Sequence, residues 1–430
     1  MKTTSDIQAH ATEVIARCQM LAGFSEDSAG TRRTFLCPSM RDCHREITRW
    51  LQALGSEVTI DAVGNLRGLY RATTPEAPRL LIGSHLDTVP NAGAYDGVLG
   101  VLLAIALLEG LEGKRLPFAI EVIGFSEEEG VRFGTPFIGS RALVGRLDAD
   151  LLRRRGENGI SVREAIVNFG LDPERIPQTA LMEGQTLGYV EFHIEQGPVL
   201  ESLGRPLAVV EAITGQTRLE FKFIGRANHA GTTPMNLRHD AVAAAAEWIS
   251  AVERTAQAEP GLVATVGRIE ARPGAVNVIA GEACATLDVR HRSDEVRERA
   301  VGDITQHAEA IASRRGLSVR QNRLMEQKAV AMDPFLVSQI KSAIRAAGCE
   351  PHDMASGAGH DAMILAEKVP AGMIFLRTPG GISHDPAESV EPGDVAKAIE
   401  CGLHLLDQLA SSSEFQAGFR TGFQRRIDRA

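Results

Sequence analysis

Three short runs early in the chain, Glu57-Val58-Thr59-Ile60, Leu66-Arg67-Gly68-Leu69-Tyr70 and Arg79-Leu80-Leu81-Ile82-Gly83-Ser84, have the length and aliphatic content of strands. Asp61 to Asn65 between the first two is a turn. Residues 7–54 before them read as largely helical. The unbroken apolar stretch from Val98 to Leu111 predicts a buried helix, and Phe118 to Phe125 predicts another strand. Strands alternating with helices point to an α/β domain with a mostly parallel sheet. Segment 141–185, rich in Arg and Glu with Pro173 and Pro177, reads as a surface helical excursion without recognisable chemistry.

From about Gly215 the pattern changes. Arg218 to Ile224 alternates apolar and polar residues like a strand, 239–258 is helical, 262–269 and 284–290 are strand-like, and 294–315 is helical. This block predicts a separate α+β domain. After about residue 328 a helix over 334–347 and a strand near 370–376 resume the first style. The expected organisation is therefore a metal-binding domain of residues 1–212 and 329–430, with an α+β domain of residues 213–328 inserted into it as a candidate lid. Hinges near 213 and 328 would let the two close on a substrate.

A length of 430 residues agrees with two domains, and 44% hydrophobic with 23% charged residues is ordinary for a water-soluble enzyme. The net charge of -9 argues against nucleic acid or an anionic membrane as partner. Six cysteines without a CxxC pair, and an N-terminus without a signal-like apolar segment, make a reducing cytoplasm the expected compartment. The most apolar stretch, Val98 to Leu108, is too short to span a bilayer.

Five segments carry metal-ligand side chains beside glycine or after a strand-like run: Gly83-Ser84-His85-Leu86-Asp87, Ala94-Tyr95-Asp96-Gly97, Ser126-Glu127-Glu128-Glu129-Gly130, Glu191-Phe192-His193-Ile194-Glu195 and Gly381-Ile382-Ser383-His384-Asp385. Any one of these histidines alone would read as structural. Together they describe a dinuclear hydrolase in which His85, Asp96, Glu128, His193 and His384 supply about three ligands per ion if Asp96 bridges. Imidazole and carboxylate donors suit zinc, manganese, cobalt or nickel better than calcium or magnesium. Glu127, adjacent to a ligand and diverging from it, is left as a general base or as part of a solvated acidic loop. Asp87 either orients His85 or caps a turn. His229, within Ala227-Asn228-His229-Ala230-Gly231, is a candidate donor to a developing oxyanion. Arg218, Asn277 and Arg290 read first as surface residues, and as carboxylate ligands only in company. The turn Ser356-Gly357-Ala358-Gly359-His360-Asp361 brings backbone groups within reach of a ligand near Gly359 and does not match a P-loop.

At these residues the sequence resembles the amidohydrolases of the aminoacylase and carboxypeptidase superfamily, in the branch of allantoate amidohydrolases and N-carbamoyl-L-amino acid hydrolases. The resemblance spans almost the whole chain. It rests on Gly83 to Val89, Glu127 to Gly130, His193 to Pro198, His229 to Pro234 and Gly380 to His384 in combination. It implies two divalent ions per subunit (Mn2+ or Zn2+, with Co2+ or Ni2+ as substitutes) on His85, Asp96, Glu128, His193 and His384, and Glu127 as base. It also implies a homodimer built through the inserted domain, with His229 reaching the partner subunit's active site. Residues matching Gln216, Arg218, Asn277 and Arg290 bind the carboxylate and ureido group of the substrate in similar enzymes. Gly215 to Leu219 and Ser356 to Met363 look closer to the allantoate enzymes, and His193 stands where many dinuclear peptidases of the superfamily use a carboxylate. The expected reaction is hydrolysis of allantoate to ureidoglycine, ammonia and CO2. N-carbamoyl-L-amino acids are the alternative substrate, and an aminoacylase, a dipeptidase or a non-catalytic binding module are remoter ones.

Overall fold

The computed structural model describes residues 4–412 and 415. They fall into two compact units: the chain up to Glu211 with Met332–Met354 and the part from His360 onward, and Ala212–Ala331 with Ala355–Gly359.

The first unit is built on a mixed sheet whose strands run in the order Glu57–Ile60, Leu66–Tyr70, Ala119–Phe125, Arg79–His85, Thr186–Ile194, Ala371–Leu376 and Leu207–Ile213. The four strands from Ala119–Phe125 to Ala371–Leu376 are mutually parallel, and those flanking them pair antiparallel. The parallel strands are buried on both faces, which is why they read as continuous apolar runs rather than alternating ones. Helix Val98–Gly110 lies against this sheet and is apolar all round because it is covered all round. Its Gly100 is dictated by close approach, since a Cβ there would stand 2.1 Å from the Phe192 carbonyl oxygen.

The stretch 141–185 forms two short helices, Ala149–Arg153 and Val162–Asn168, and a 3-10 turn, Pro173–Thr179. Among the described residues no helix is long and apolar enough to cross a membrane.

The second unit is an antiparallel sheet ordered Ile269–Arg272, Glu282–His291, Gly215–Ile224, Ser318–Gln327, with Val263–Thr265 also on Glu282–His291. Helices Ala241–Ala258 and Asp294–Arg314 cover one face, their starts capped by Asp240 and Ser293. Trp248 fills the core beside Phe221 and Phe223, and its indole donates to the Ile304 carbonyl at 3.1 Å. Alternation along Glu282–His291 buries Ala283, Ala285, Leu287, Val289 and His291, so Asp288 and Arg290 face outward. The region read as one strand over 262–269 is two short strands with a break between them. The edge strand Ser318–Gln327 is mostly exposed and polar, and left no hydrophobic alternation to read.

Helix Pro38–Ala53 buries His44 with its Nε2 lacking a hydrogen-bond partner, and burial, helped by Arg33 and Arg41, pushes its pKa down to about 3. Because the folded value lies below the unfolded one, this group binds its proton more readily in the unfolded chain. Its contribution to stability is whole above pH 6.5 and is lost toward pH 3, at about 1.4 kcal/mol per pH unit. Urea titrations between pH 6.5 and 4 are expected to show His44→Met losing less stability than wild type; equal slopes would mean that His44 titrates normally in the fold.

Candidate metal centre

The four parallel strands deliver their chemistry at one edge of the sheet. His85 is the last residue of Arg79–His85, His193 the penultimate residue of Thr186–Ile194, and Glu127 to Glu129 follow Ala119–Phe125 after Ser126. His384 follows Ala371–Leu376 after a single 3-10 turn, Pro379–Gly381. Asp96 comes from the loop after His85, immediately before the Val98 helix. These are the carboxyl ends of adjacent parallel strands, where the loops that follow them come together. Gly97, at φ 67°, has to lack a side chain, because a Cβ would meet the His85 ring at 2.4 Å.

Two groups of donors share Asp96. In one, His85, Asp96 and His193 bring ligand atoms within 4.8 Å of one another; in the other, Asp96, Glu129 and His384 do the same. Oδ1 of Asp96 is 3.3 Å from His193 Nε2 and 3.8 Å from His85 Nε2, whereas Oδ2 is 3.1 Å from His384 Nε2. The carboxylate thus turns one oxygen to each group. A further group joins His85 to Glu128 and Glu129, and a fourth joins His193 to Glu191 and His360.

The donor set fits a pair of cations on its own chemistry. His85 Nδ1 is 2.9 Å from the Asp87 carbonyl and His193 Nδ1 is 2.9 Å from the Ile194 carbonyl, so in the neutral rings both protons reside on Nδ1. The two Nε2 lone pairs then face each other at 3.4 Å beside a carboxylate, an arrangement that repels itself unless a cation lies between. Charge balance points the same way. Burial, then the negative charge of Asp96, lifts the Glu129 carboxyl to about 10, and burial, then Glu129, raises Glu128 well above its ordinary range. Burial lowers His193 to about 4 against the pull of Asp96. Only added positive charge lets these carboxylates ionise together at neutral pH.

The five ligands read from the sequence, His85, Asp96, Glu128, His193 and His384, are all gathered here. Glu127 lies differently. Its carboxylate belongs to none of the four groups, is 1% exposed, and has no hydrogen bond of ordinary geometry. Burial, then Asp87, raises it well above the usual range, with the Gly130 and Val131 amides opposing. Glu129, passed over in the sequence, belongs to two groups and lies 3.6 Å from His384. Asp87 has two holds: its main-chain carbonyl faces His85, and its carboxylate accepts the amides of Glu128 at 2.9 Å and Glu129 at 3.1 Å. It anchors the acidic loop as well as the imidazole.

A supporting tier also escaped sequence reading. Gln196 donates from Nε2 to both Asp96 oxygens at 3.2 Å, Glu388 accepts the amides of Tyr95 and Asp96 at 2.8 and 3.0 Å, and Glu191 accepts from Ser84 at 2.7 Å and from the Ala362 amide at 3.0 Å. Burial places both Glu191 and Glu388 at about 7. His360 packs its buried ring edge-on to His193 with centroids 4.4 Å apart. The signal available for Gln196 and Glu191 was their place in the same short motif as His193.

In the second unit, Gln216, Arg218 and Arg290 all reach Asp288, and Arg290 also donates to the Gly357 carbonyl at 2.6 Å. Asn277 and His229 lie on a separate exposed ribbon, where Asn228–His229 pairs with Val278–Ile279. The Gly231 and Thr232 amides donate to His229 Nδ1 at 3.1 and 3.2 Å, so the neutral ring carries its proton on Nε2, as a free donor needs. Gly359 is half-buried, one residue beyond the Ala358 amide that donates to Ser356 Oγ at 3.1 Å.

A profile of the family described as Peptidase family M20/M25/M40 matches residues 81–408, a span that holds every member of the four donor groups described above. The chain belongs to this family. Within M20/M25/M40 it lies in the allantoate amidohydrolase and N-carbamoyl-L-amino acid amidohydrolase branch, whose members are hydrolases of C–N bonds outside peptides. It is 39% identical to an N-carbamoyl-L-amino acid amidohydrolase of Geobacillus stearothermophilus, over 90% of this chain and 95% of that protein. It is 38% identical to an allantoate deiminase of Arabidopsis thaliana, over 93% of this chain and 82% of the relative. The crystal structure of an amidase of the hydantoinase/carbamoylase family from Burkholderia multivorans superposes with a TM-score of 0.88 at 30% identity, over 94% of this chain and 98% of the other. The M20/M25/M40 fold of the chain is thus a mostly parallel α/β catalytic sheet accompanied by a separate antiparallel sheet.

Proposed function

We propose that the chain hydrolyses the ureido C–N bond of allantoate, using two divalent ions held by His85, Asp96 and His193 and by Asp96, Glu129 and His384. The observation that carries the reading is the bifacial Asp96 carboxylate, one oxygen toward each donor group. Two such ions, when bound, supply Lewis-acid polarisation of a carbonyl oxygen and a lowered pKa for water.

Glu128 is the general base in this reading. It lies beside His85 and Glu129 but belongs to neither group that contains Asp96, so it adjoins both without completing either. It takes the proton of the attacking water and returns it to the leaving nitrogen. This assignment shifts the acidic loop by one residue from the Glu127 and Glu128 roles expected from sequence. His229 donates from Nε2 to the oxyanion. The second unit recognises the substrate's carboxylate through Gln216, Arg218 and Arg290, with Asn277 and the Gly359 turn available to the ureido group.

The terminal nitrogens of Arg218 have no protein partner among the described residues, which suits the second ureido arm of allantoate. The Geobacillus relative keeps N-carbamoyl-L-amino acids as the competing substrate class. The reading includes a homodimer through the second unit, with His229 serving the partner's site. The position of Ser318–Gln327 as the last strand of its sheet among the described residues, with Leu324 exposed, supports that part. Ammonia release by manganese-loaded protein is expected to be faster with allantoate than with N-carbamoyl-L-alanine. The reverse preference would move the chain to the carbamoylases, and silence on both would reject ureido hydrolysis.

A further inference from the structure

Four hydrogen bonds from three side chains end on the single carboxylate of Asp288. Arg290 donates from Nε to Oδ1 at 3.0 Å and from Nη2 to Oδ2 at 2.9 Å, while Oδ2 also takes Arg218 Nε at 2.9 Å and Gln216 Nε2 at 2.6 Å. The strand register makes this array. Asp288 pairs with Arg218 and Arg290 with Gln216, and residues two apart on each strand share a face, so all four side chains rise together. Further along the strands Glu220 and Glu270 share Arg268 at 2.9 and 3.3 Å, and neither is paired with the Asp288 array.

We infer that Asp288 is the positioning residue of this array: it holds Gln216, Arg218 and Arg290 in one geometry and cancels one of two guanidinium charges, so that the face selects substrates bearing a single negative charge. The inference rests on the ureido-acid reading above and adds a residue and a selection rule to it. Two guanidiniums and one carboxylate leave a net charge of one, which one substrate carboxylate neutralises and two would overrun. Arg290 is oriented at all three nitrogens, with Nε and Nη2 on Asp288 and Nη1 on Gly357, and keeps one further N–H on each terminal nitrogen for a ligand. Arg218 is held only at Nε, which leaves its outer fork aimed outward without a further protein partner among the described residues. A long cationic side chain pinned at its inner nitrogen loses less freedom when it grips a ligand. Asp288 itself touches no substrate in this scheme and is not a catalytic residue.

The test uses full-length, metal-loaded protein with Asp288→Asn and Asp288→Glu. The faster of allantoate and N-carbamoyl-L-alanine serves as the monoanionic substrate, and N-carbamoyl-L-aspartate competes as the dianion. In Asp288→Asn, KM for the monoanion is expected to rise about tenfold with kcat within about threefold and metal content unchanged. The ratio of that KM to the inhibition constant of the dianion is expected to move about tenfold in favour of the dianion, because the uncancelled array carries two positive charges. Asp288→Glu, which keeps the charge, returns the ratio toward wild type. An unmoved ratio, or equal weakening toward both anions, overturns the inference and marks Asp288 as structural only. Calorimetric binding of both ureido acids to wild type separates the two failures. If wild type neither binds nor hydrolyses them, the ureido-acid reading falls and this inference with it; if wild type acts on them and the ratio stays fixed in Asp288→Asn, the inference alone falls.

Discussion

Replacing Glu128 with glutamine is expected to leave metal content unchanged and to lower kcat on the order of 10²–10⁴-fold, the usual worth of a positioned general base. Glutamine keeps the shape and the amide link to Asp87, which holds the Glu128 backbone rather than its side chain. Only the capacity to take a proton is removed. The companion substitution Glu127→Gln is expected to cost less than tenfold, because that carboxyl belongs to no donor group and its buried oxygens have no hydrogen-bond partner to lose. Steady-state kinetics on metal-quantified preparations decide the matter. A dead Glu127→Gln beside an active Glu128→Gln would restore the assignment read from sequence.

Asp96→Asn should be more damaging still, since a single side chain serves both donor groups. One oxygen faces His193 and His85, the other His384, so the substitution weakens two ion sites at once. The asparagine NH2 would also point a donor at Gln196 Nε2, which donates to both Asp96 oxygens. Elemental analysis is expected to show both ions depleted and activity reduced by about 10³-fold or more, since metal polarisation supplies several kcal/mol of transition-state stabilisation. His384→Ala, by contrast, leaves His85, Asp96 and His193 intact and should retain one ion. An Asp96→Asn protein that lost only one ion would show that Asp96 does not bridge.

Much of this was legible because burial on both faces imposes a readable composition. Arg79–His85 and Ala119–Phe125 announce themselves as apolar runs, and the Val98 helix as one too apolar to be exposed. His85 and His193 were legible because each lies at the end of such a run, and Asp96 and His384 because glycines mark their loops. The acidic loop was not resolved to the residue. In Glu127-Glu128-Glu129 all three side chains are chemically alike, and only the turn that Asp87 imposes by accepting two successive amides decides which of them face the histidines. Ser318–Gln327 was illegible for the opposite reason: an exposed edge strand buries too little to leave a pattern. Asp288 looks like any outward residue of an alternating strand, and its meaning depends on a cross-strand register that no single strand contains.

Glu388 binds the amides of Tyr95 and Asp96 from nearly three hundred residues downstream, and its Oε2 accepts a hydrogen bond at 3.2 Å from Ser383, the neighbour of His384. No growing chain that stops short of Glu388 therefore owns a complete site, however well its earlier strands have folded on the ribosome. The donor group of His85, Asp96 and His193 is complete in sequence nearly two hundred residues before His384 supplies its part of the other, so an ion taken up during synthesis would find its full donor set in the first group long before the second.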